Sequence, residues 1–284
     1  MESPLRAKGK SPVTVIGAGA VGSALATALK EKQYPLRLIL SKHGRSAKAL
    51  GRKVRARNAR MTEARRFDLS GIVFVAVPDD AIEGVARVLS HRQRDFSGTV
   101  VFHTSGTLTS GVLLSLKRKG AAIGSFHPLQ TFPKSASSSK RFRNIWVGLE
   151  GDKKAVETGK RIAIRLGARP FVLSPEQKTL YHIAAVFSSN YFVTLLAVVE
   201  TLGRRIRLPR KKIVAMFEPL ALQTLANVKK YSAASALTGP VARGDLKTVR
   251  RHRGELHKRG LRHIAFLYSA LAKETHRLAL KKDI

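Results

Sequence analysis

Two separated stretches of the chain carry side chains able to move protons at positions where local geometry would aim them. In IGSFHPLQTF, residues 123–132, an apolar strand-like run ends on His127 in front of Pro128. A following proline holds the preceding residue extended, so the run would deliver the imidazole in a fixed direction. Imidazole exchanges a proton near neutral pH. The structural alternative is a turn histidine bonded to backbone. In SPEQKTLYHIAAVFSSNYFVTLLAVVETLG, residues 174–203, the pattern is one long helix. At about 100° per residue, Lys178, His182, Ala185 and Ser189 fall on one narrow face, and Asn190 lies roughly 80° from His182. Asn190 would serve the same face only if the helix bends or the site is wide. The small residues Ala184, Ala185 and Ser188 would let a ligand approach, whereas a polar stripe on a core helix is the plainer reading.

A third stretch speaks of a nucleotide. GAGAVG, residues 17–22, has the spacing G-x-G-x-x-G, leaves the β-branched run PVTVIG and opens a helical pattern. That context makes it a dinucleotide fingerprint. Gly17 permits the tight turn, Gly19 the close approach of a diphosphate and Gly22 helix–strand packing. Ala18, Ala20 and Val21 complete the loop, whose helix N-terminus favours negative charge. About 20 residues on, an NAD site would place an acid on the ribose. This chain has Ser41, Lys42 and Arg45 there, a hydroxyl and cations that suit a 2′-phosphate, so NADP is expected rather than NAD. Val77 and Pro78 end a further strand beside the same cleft, and Asp79 is expected to cap the next helix.

The elements that must position these groups alternate. Strand-like runs at 12–17, 35–40, 71–78, 99–103, 121–128 and 144–150 are separated by helical patterns, and GIVFVAVP is continuously apolar, as in a strand buried on both faces. A basic helix-like segment is expected to run to about Arg66. The fold class is α/β, a Rossmann-like doubly wound parallel sheet followed by a mostly α-helical C-terminal domain. The expected divisions are a flexible basic tail, 1–11, a nucleotide-binding domain, 12–150, and a helical substrate and dimerisation domain, 151–284. QTFPKSASSSKRF, 130–142, reads as a surface loop or flap. In LTGPVARGDLKTVRRH, 237–252, Asp245 is a natural N-cap and Arg243 precedes the helix, placed for a carboxylate or phosphate.

Composition sets limits. The 284 residues contain no cysteine, which removes disulfides, thiolate metal sites and a Cys nucleophile; no metal site is expected. No uninterrupted apolar run reaches a bilayer-spanning length, and no leader-like segment follows the N-terminus, so a cytoplasmic location is expected. There are 53 Lys+Arg against 18 Asp+Glu, a formal net charge of +35. Such a field attracts anions and polyanions. Basic segments at 52–66, 204–212 and 247–260 lack a nucleic-acid signature, and aromatics make up only 6%, too few for an evident base-stacking platform.

Taken together, GAGAVGSALA, FVAVPDDAI, HTSG, GSFHPLQTF, YHIAAVFSSNY and LTGPVARGDLKTVRRH resemble the Rossmann-like family whose helical half carries the label domain of unknown function 2520. That family resembles the β-hydroxyacid dehydrogenase, pyrroline-5-carboxylate reductase and prephenate dehydrogenase superfamily, with a 6-phosphogluconate-dehydrogenase-like helical half. The resemblance implies an NAD(P)-dependent reductase or dehydrogenase, with a ketopantoate-like oxo acid as the one concrete substrate. It matches His127 and Ser105 to the active-site histidine and serine of prephenate dehydrogenases. β-Hydroxyacid dehydrogenases carry Lys, as acid/base, and Asn four residues later; here Lys178 is followed by His182. The implied enzyme passes hydride between nicotinamide and a carbonyl or imine of a small anionic substrate. Its proton comes from His127, Lys178 or His182, and Ser105, Asn190 and Arg243 orient the substrate. A homodimer is expected. An NADP-binding sensor without turnover and a basic nucleic-acid-binding protein are the rival readings.

Overall fold

The computed structural model describes residues 10–132 and 139–281. The expected tail, apart from its last two residues, and the centre of the expected flap lie outside them. The chain divides into two compact units, Met1–Ser189 and Asn190–Ile284.

The first unit is built on an eight-stranded sheet: β1 (Val13–Ile16), β2 (Leu36–Ser41), β3 (Arg57–Arg60), β4 (Ile72–Val75), β5 (Val100–His103), β6 (Ala122–Pro128), β7 (Trp146–Gly151) and β8 (Arg169–Val172). The order is β3-β2-β1-β4-β5-β6-β7-β8. Every pairing is parallel except β6 with β7, which is antiparallel. Strands β1, β4 and β5 are buried along their whole length, which is why VTVI, IVFV and VVFH read as unbroken apolar or β-branched runs. The intervening helices are α1 (Ala20–Glu31), α2 (Gly44–Val54), α3 (Asp79–Arg92), the single turn α4 (Leu114–Lys117) and α5 (Lys153–Leu166). On one sheet face Phe74, Phe102 and Phe126 pack ring to ring from three adjacent strands, with centroids 5.2–5.9 Å apart. Such pairs add about 0.5–1.5 kcal/mol each beyond the burial of their surface.

Three local expectations need correction. The basic segment after Ser41 is not one helix to Arg66. It is α2, then edge strand β3, then a 3₁₀ stretch, Met61–Arg66. Only Ala59 of β3 is buried, so RNAR offers no apolar alternation to betray a strand. Asp79 is the first residue of α3 rather than its cap, which is Pro78. The long helix, expected from residue 174, starts at Gln177.

That helix runs as α6 (Gln177–Val186), a π-helical turn (Phe187–Tyr191) and α7 (Phe192–Arg205). The π turn contains Asn190, so the ideal 100° spacing used to place that residue does not hold through it. The 29-residue span is long and apolar enough, by length and composition alone, to cross a membrane. A search for uninterrupted apolar runs misses it because Ser188, Ser189 and Asn190 break the run without making the average polar.

The second unit holds α7, α8 (Arg210–Tyr231), the short α9 (Ala233–Ala236), α10 (Leu246–Lys258) and α11 (Arg262–Ala279). Asp245 caps α10 as expected, accepting the Thr248 N–H at 3.0 Å. Leu256, Leu261, Ile264 and Ala265 form its small core with Val198 and Leu202.

Candidate functional site

The glycine loop leaves β1 at the C-terminal edge of the sheet. Gly17 has φ +107°, and a Cβ there would lie 2.1 Å from the Ala76 carbonyl oxygen; a Cβ on Gly22 would lie 2.0 Å from the Gly17 oxygen. Any side chain at either position breaks the turn or parts α1 from β1. Gly19, the N-cap of α1, has open space where its Cβ would be. A tight loop with one bare, open corner at a helix N-terminus fits a dinucleotide diphosphate. Ala18 and Ala20 flank that corner, and the Ala18 oxygen accepts the Ser23 hydroxyl. Val21 follows in the first turn of α1. Val77 lies against Gly17, its Cγ1 3.2 Å from the Cβ point, and Pro78 follows it as the exposed cap of α3.

At the end of β2, Ser41 is nearly buried and donates to the His43 carbonyl at 2.5 Å. Lys42 and Arg45 are exposed at the start of α2. Arg60, overlooked in the sequence, joins them. It pairs with Ser41 across β2 and β3, and its side chain crosses Gly44, with Nε 3.2 Å from the point a Cβ would occupy. The signal was the basic run itself, but only the strand register selects Arg60 from it.

The second constellation lies at the C-terminal ends of β5 and β6. Register places His103, Ser125 and Glu150 side by side on one face, with His127 two residues beyond Ser125. Lys178 is only 1% exposed. Its Nζ donates to Ser125 Oγ at 2.5 Å and to the Ser105 carbonyl at 3.3 Å. Burial pulls its pKa down from 10.5 to about 8, against an upward pull from Glu150 and then Asp79. Glu150 is itself buried and accepts both the N–H and the hydroxyl of Ser110, at 2.7 and 2.6 Å.

Ser105 is fully engaged. Its hydroxyl donates to Asp79 Oδ2 at 2.7 Å and accepts the N–H groups of Thr107 and Leu108. His103 accepts the Ser105 N–H on Nδ1 and contacts the Thr109 carbonyl through Nε2 at 3.2 Å, so Nε2 carries its proton. Burial, then the charge of Lys178, takes His103 down to about 3. It holds the loop as a neutral ring.

His127 Nδ1 meets the Tyr181 hydroxyl at 2.8 Å. Burial first, then Lys178 and His182, push His127 down to about 4, while burial raises Tyr181 to about 12. Both are neutral at pH 7. A Cβ on Gly106 would lie 2.5 Å from His182 Nδ1 and 2.8 Å from His127 Nε2, so two imidazole nitrogens converge on one bare backbone position. His182 Nδ1 is buried and has no hydrogen-bond partner among the described residues. The fold thus brings together His127, Lys178, His182 and Ser105 and adds Asp79, read from the sequence only as a helix cap, together with Ser125, Glu150, Tyr181 and Gly106, which sequence reasoning did not single out. Asn190 and Arg243 belong to the second unit: Asn190 within the π turn, its carbonyl accepting Thr194 Oγ1, and Arg243 in the turn before α10.

Residues 2–128 match the family model for a Rossmann-like domain, and residues 145–275 match that of the domain of unknown function DUF2520. The two matches fall in the order of the motifs, which bears out the resemblance read from them. Among solved structures, a candidate NADP oxidoreductase from Bacteroides fragilis is 25% identical, with a TM-score of 0.78 over 94% of this chain and 98% of that one. A protein from Thermotoga maritima is 27% identical, with a TM-score of 0.72 over 96% of this chain and 100% of that one. The reductive aminase of Aspergillus terreus, in complex with NADPH and ethyl-5-oxohexanoate, is 12% identical. Its TM-score of 0.70 over 94% of each chain is a likeness of fold. None of the curated proteins matches this sequence.

Proposed function

We propose that the protein is an NADPH-dependent oxidoreductase that reduces a carbonyl or imine carbon of a small acidic substrate, an oxo acid of the ketopantoate kind being the first to try. The observation that carries this reading is the convergence of His127 Nε2 and His182 Nδ1 over Gly106, beside a buried lysine, in the unit that also bears the glycine loop. The relatives described as an NADP oxidoreductase and as a reductase holding NADPH lend support to the cofactor class. In this reading Gly17, Gly19 and Gly22 take the diphosphate, and Lys42, Arg45 and Arg60 take a ribose phosphate. That cationic corner, with no acid at the end of β2, favours NADP over NAD.

The bound nicotinamide supplies hydride. The protein's own groups hold the acceptor and move the proton. Tyr181, kept protonated by its high pKa, donates to His127 Nδ1 and so leaves the proton of the neutral imidazole on Nε2. That N–H and His182 hold the substrate heteroatom. His127, neutral down to about pH 4, is a hydrogen-bond donor here rather than the acid. Lys178, with a pKa near 8, is the proton donor. It is charged at pH 7 yet poised to give up its proton, and two of its three N–H groups are anchored on Ser125 and Ser105. Ser105 acts by holding its loop rather than by touching substrate. A homodimer covers the apolar side chains of the second unit, where Val193, Leu220, Leu225 and Phe266 are each more than 60% exposed in the single chain.

The deciding experiment is a fluorescence titration with NADPH and NADH at physiological salt, followed by turnover of oxo acids and imines. NADPH is expected to bind more tightly than NADH. Gly19→Asp should abolish binding, Arg45→Ala and Arg60→Ala should weaken NADPH alone, and Lys178→Met should bind NADPH but not turn over. Failure to bind either nucleotide would sink the reading.

A further inference from the structure

The proposed chemistry uses the C-terminal edge of the parallel strands and leaves the opposite edge unassigned. There a cavity of about 1000 Å³ opens beside Ser11, which precedes β1, Ile72, which begins β4, and Val100, which begins β5. One wall is a face of α5. Lys154, Thr158, Arg161 and Arg165 stand at i, i+4, i+7 and i+11, which the helical repeat places in line. Lys10 and Tyr34 line it as well.

Arg161 and Lys10 are held in place. The Arg161 guanidinium donates to Thr158 Oγ1 at 3.0 Å. Lys10 Nζ donates to the carbonyls of Lys32 and Gln33, at 2.7 and 3.2 Å, and lies 5.6 Å from the centre of the Tyr34 ring. They also feel one another. Burial, then the charge of Arg165, lowers the Lys10 pKa, and Arg165 and Arg161 work against the rise that burial gives Tyr34. Among the described residues, four cations therefore face one cavity whose lining contains no carboxylate. Glu157, on the same helix, is paired with Lys160 at 2.8 Å. Like charges four residues apart destabilise a helix, so the Arg161–Arg165 arrangement stores repulsion that a bound anion would relieve.

We infer that this cavity is a second ligand site, for a small molecule bearing two or more phosphate groups. Two guanidinium forks and two ammonium groups match the charge and oxygen geometry of a di- or triphosphate. The exposed Ile164 side chain gives an organic portion an apolar surface, and the volume falls within the range of small-molecule sites. The site is independent of the oxidoreductase reading, because it lies at the other edge of the sheet from the glycine loop.

The test is isothermal titration of the intact protein with inorganic tripolyphosphate at near-physiological salt. Two triple variants carry the same change in net charge: Lys154→Glu/Arg161→Glu/Arg165→Glu on α5, and Arg250→Glu/Arg251→Glu/Arg253→Glu, exposed on α10. Circular dichroism confirms that each is folded. The α5 variant is expected to lose affinity by about tenfold or more, and the α10 variant by less than about threefold. Equal loss in both would assign binding to the general positive field and overturn the site. Loss on Gly19→Asp would assign it to the glycine loop and overturn it equally, as would an absence of binding by the unmodified protein.

Discussion

Lys178 offers a test that needs no substrate. Its ammonium is buried to 1% exposure against two oxygen partners, and its pKa falls from 10.5 to about 8. In the unfolded chain the ordinary value of 10.5 returns. Below about pH 8 the lysine is charged in both states, and the folded state bears the full cost of burying the charge. Between about 8 and 10.5 the unfolded state holds the proton and the folded state has released it, so stability rises with pH. Above that window the cost is gone. The drop corresponds to about 3 kcal/mol. Lys178→Met keeps the side-chain length and removes the titration. The single tryptophan, Trp146, sits on β7 in the same unit, so urea unfolding followed by its fluorescence reports on the right part of the molecule. The stability of the unmodified protein minus that of Lys178→Met should climb by about 3 kcal/mol from pH 7.5 to pH 10.5. Other lysines titrate alike in both proteins and cancel. A difference that stays flat, or falls, would show that the amine is not enclosed as described and would remove the case for Lys178 as proton donor.

Two further predictions concern the imidazoles. Tyr181→Phe leaves His127 Nδ1 without its phenol, so nitrogen NMR of the histidine rings should show a mixture of tautomers at His127 where the unmodified protein shows one. Turnover should fall about threefold to tenfold, the worth of one hydrogen bond, and an unchanged ring spectrum would refute the positioning role. Gly106→Ala forces a methyl group against His182 Nδ1 and His127 Nε2. Both rings must move by a few tenths of an ångström or more, with an expected stability cost of about 1–3 kcal/mol and a turnover loss reaching about a hundredfold. Full activity in that variant would mean that the two nitrogens do not share a target.

What the sequence revealed and what it hid follow from the range of the interactions. The glycine loop was legible because strand, turn and helix start are contiguous, and the buried strands because both of their faces are apolar. Asp245 was legible as a cap because its partner is three residues away. Edge strand β3 was hidden because its exposed cations carry no alternation. Tyr181 was hidden because its partner His127 lies 54 residues earlier, and Glu150 because the Ser110 it holds lies 40 residues earlier. The antiparallel pairing of β7 was hidden because nothing in the residues of that strand marks its direction. Asp79 was read for its helix-capping chemistry, yet the fold lends its carboxylate to Ser105 instead.

The stacked rings of Phe74, Phe102 and Phe126 have a consequence for how this chain can change. They tie β4, β5 and β6 into one stiff plate, and the polar row of His103 and Ser125 stands on its other face. A plate of that kind cannot shift one strand without unseating a phenylalanine, so the histidine end of β6 is a fixed datum. Lys178, Tyr181 and His182 come instead from α6, where the residues that follow the buried Lys178, 179–186, are partly or fully exposed and a substitution disturbs less. Adaptation to new substrates would therefore accumulate along the remainder of that helix, residues 183–186, while 125–127 stay as they are, one wall inherited and the other retooled.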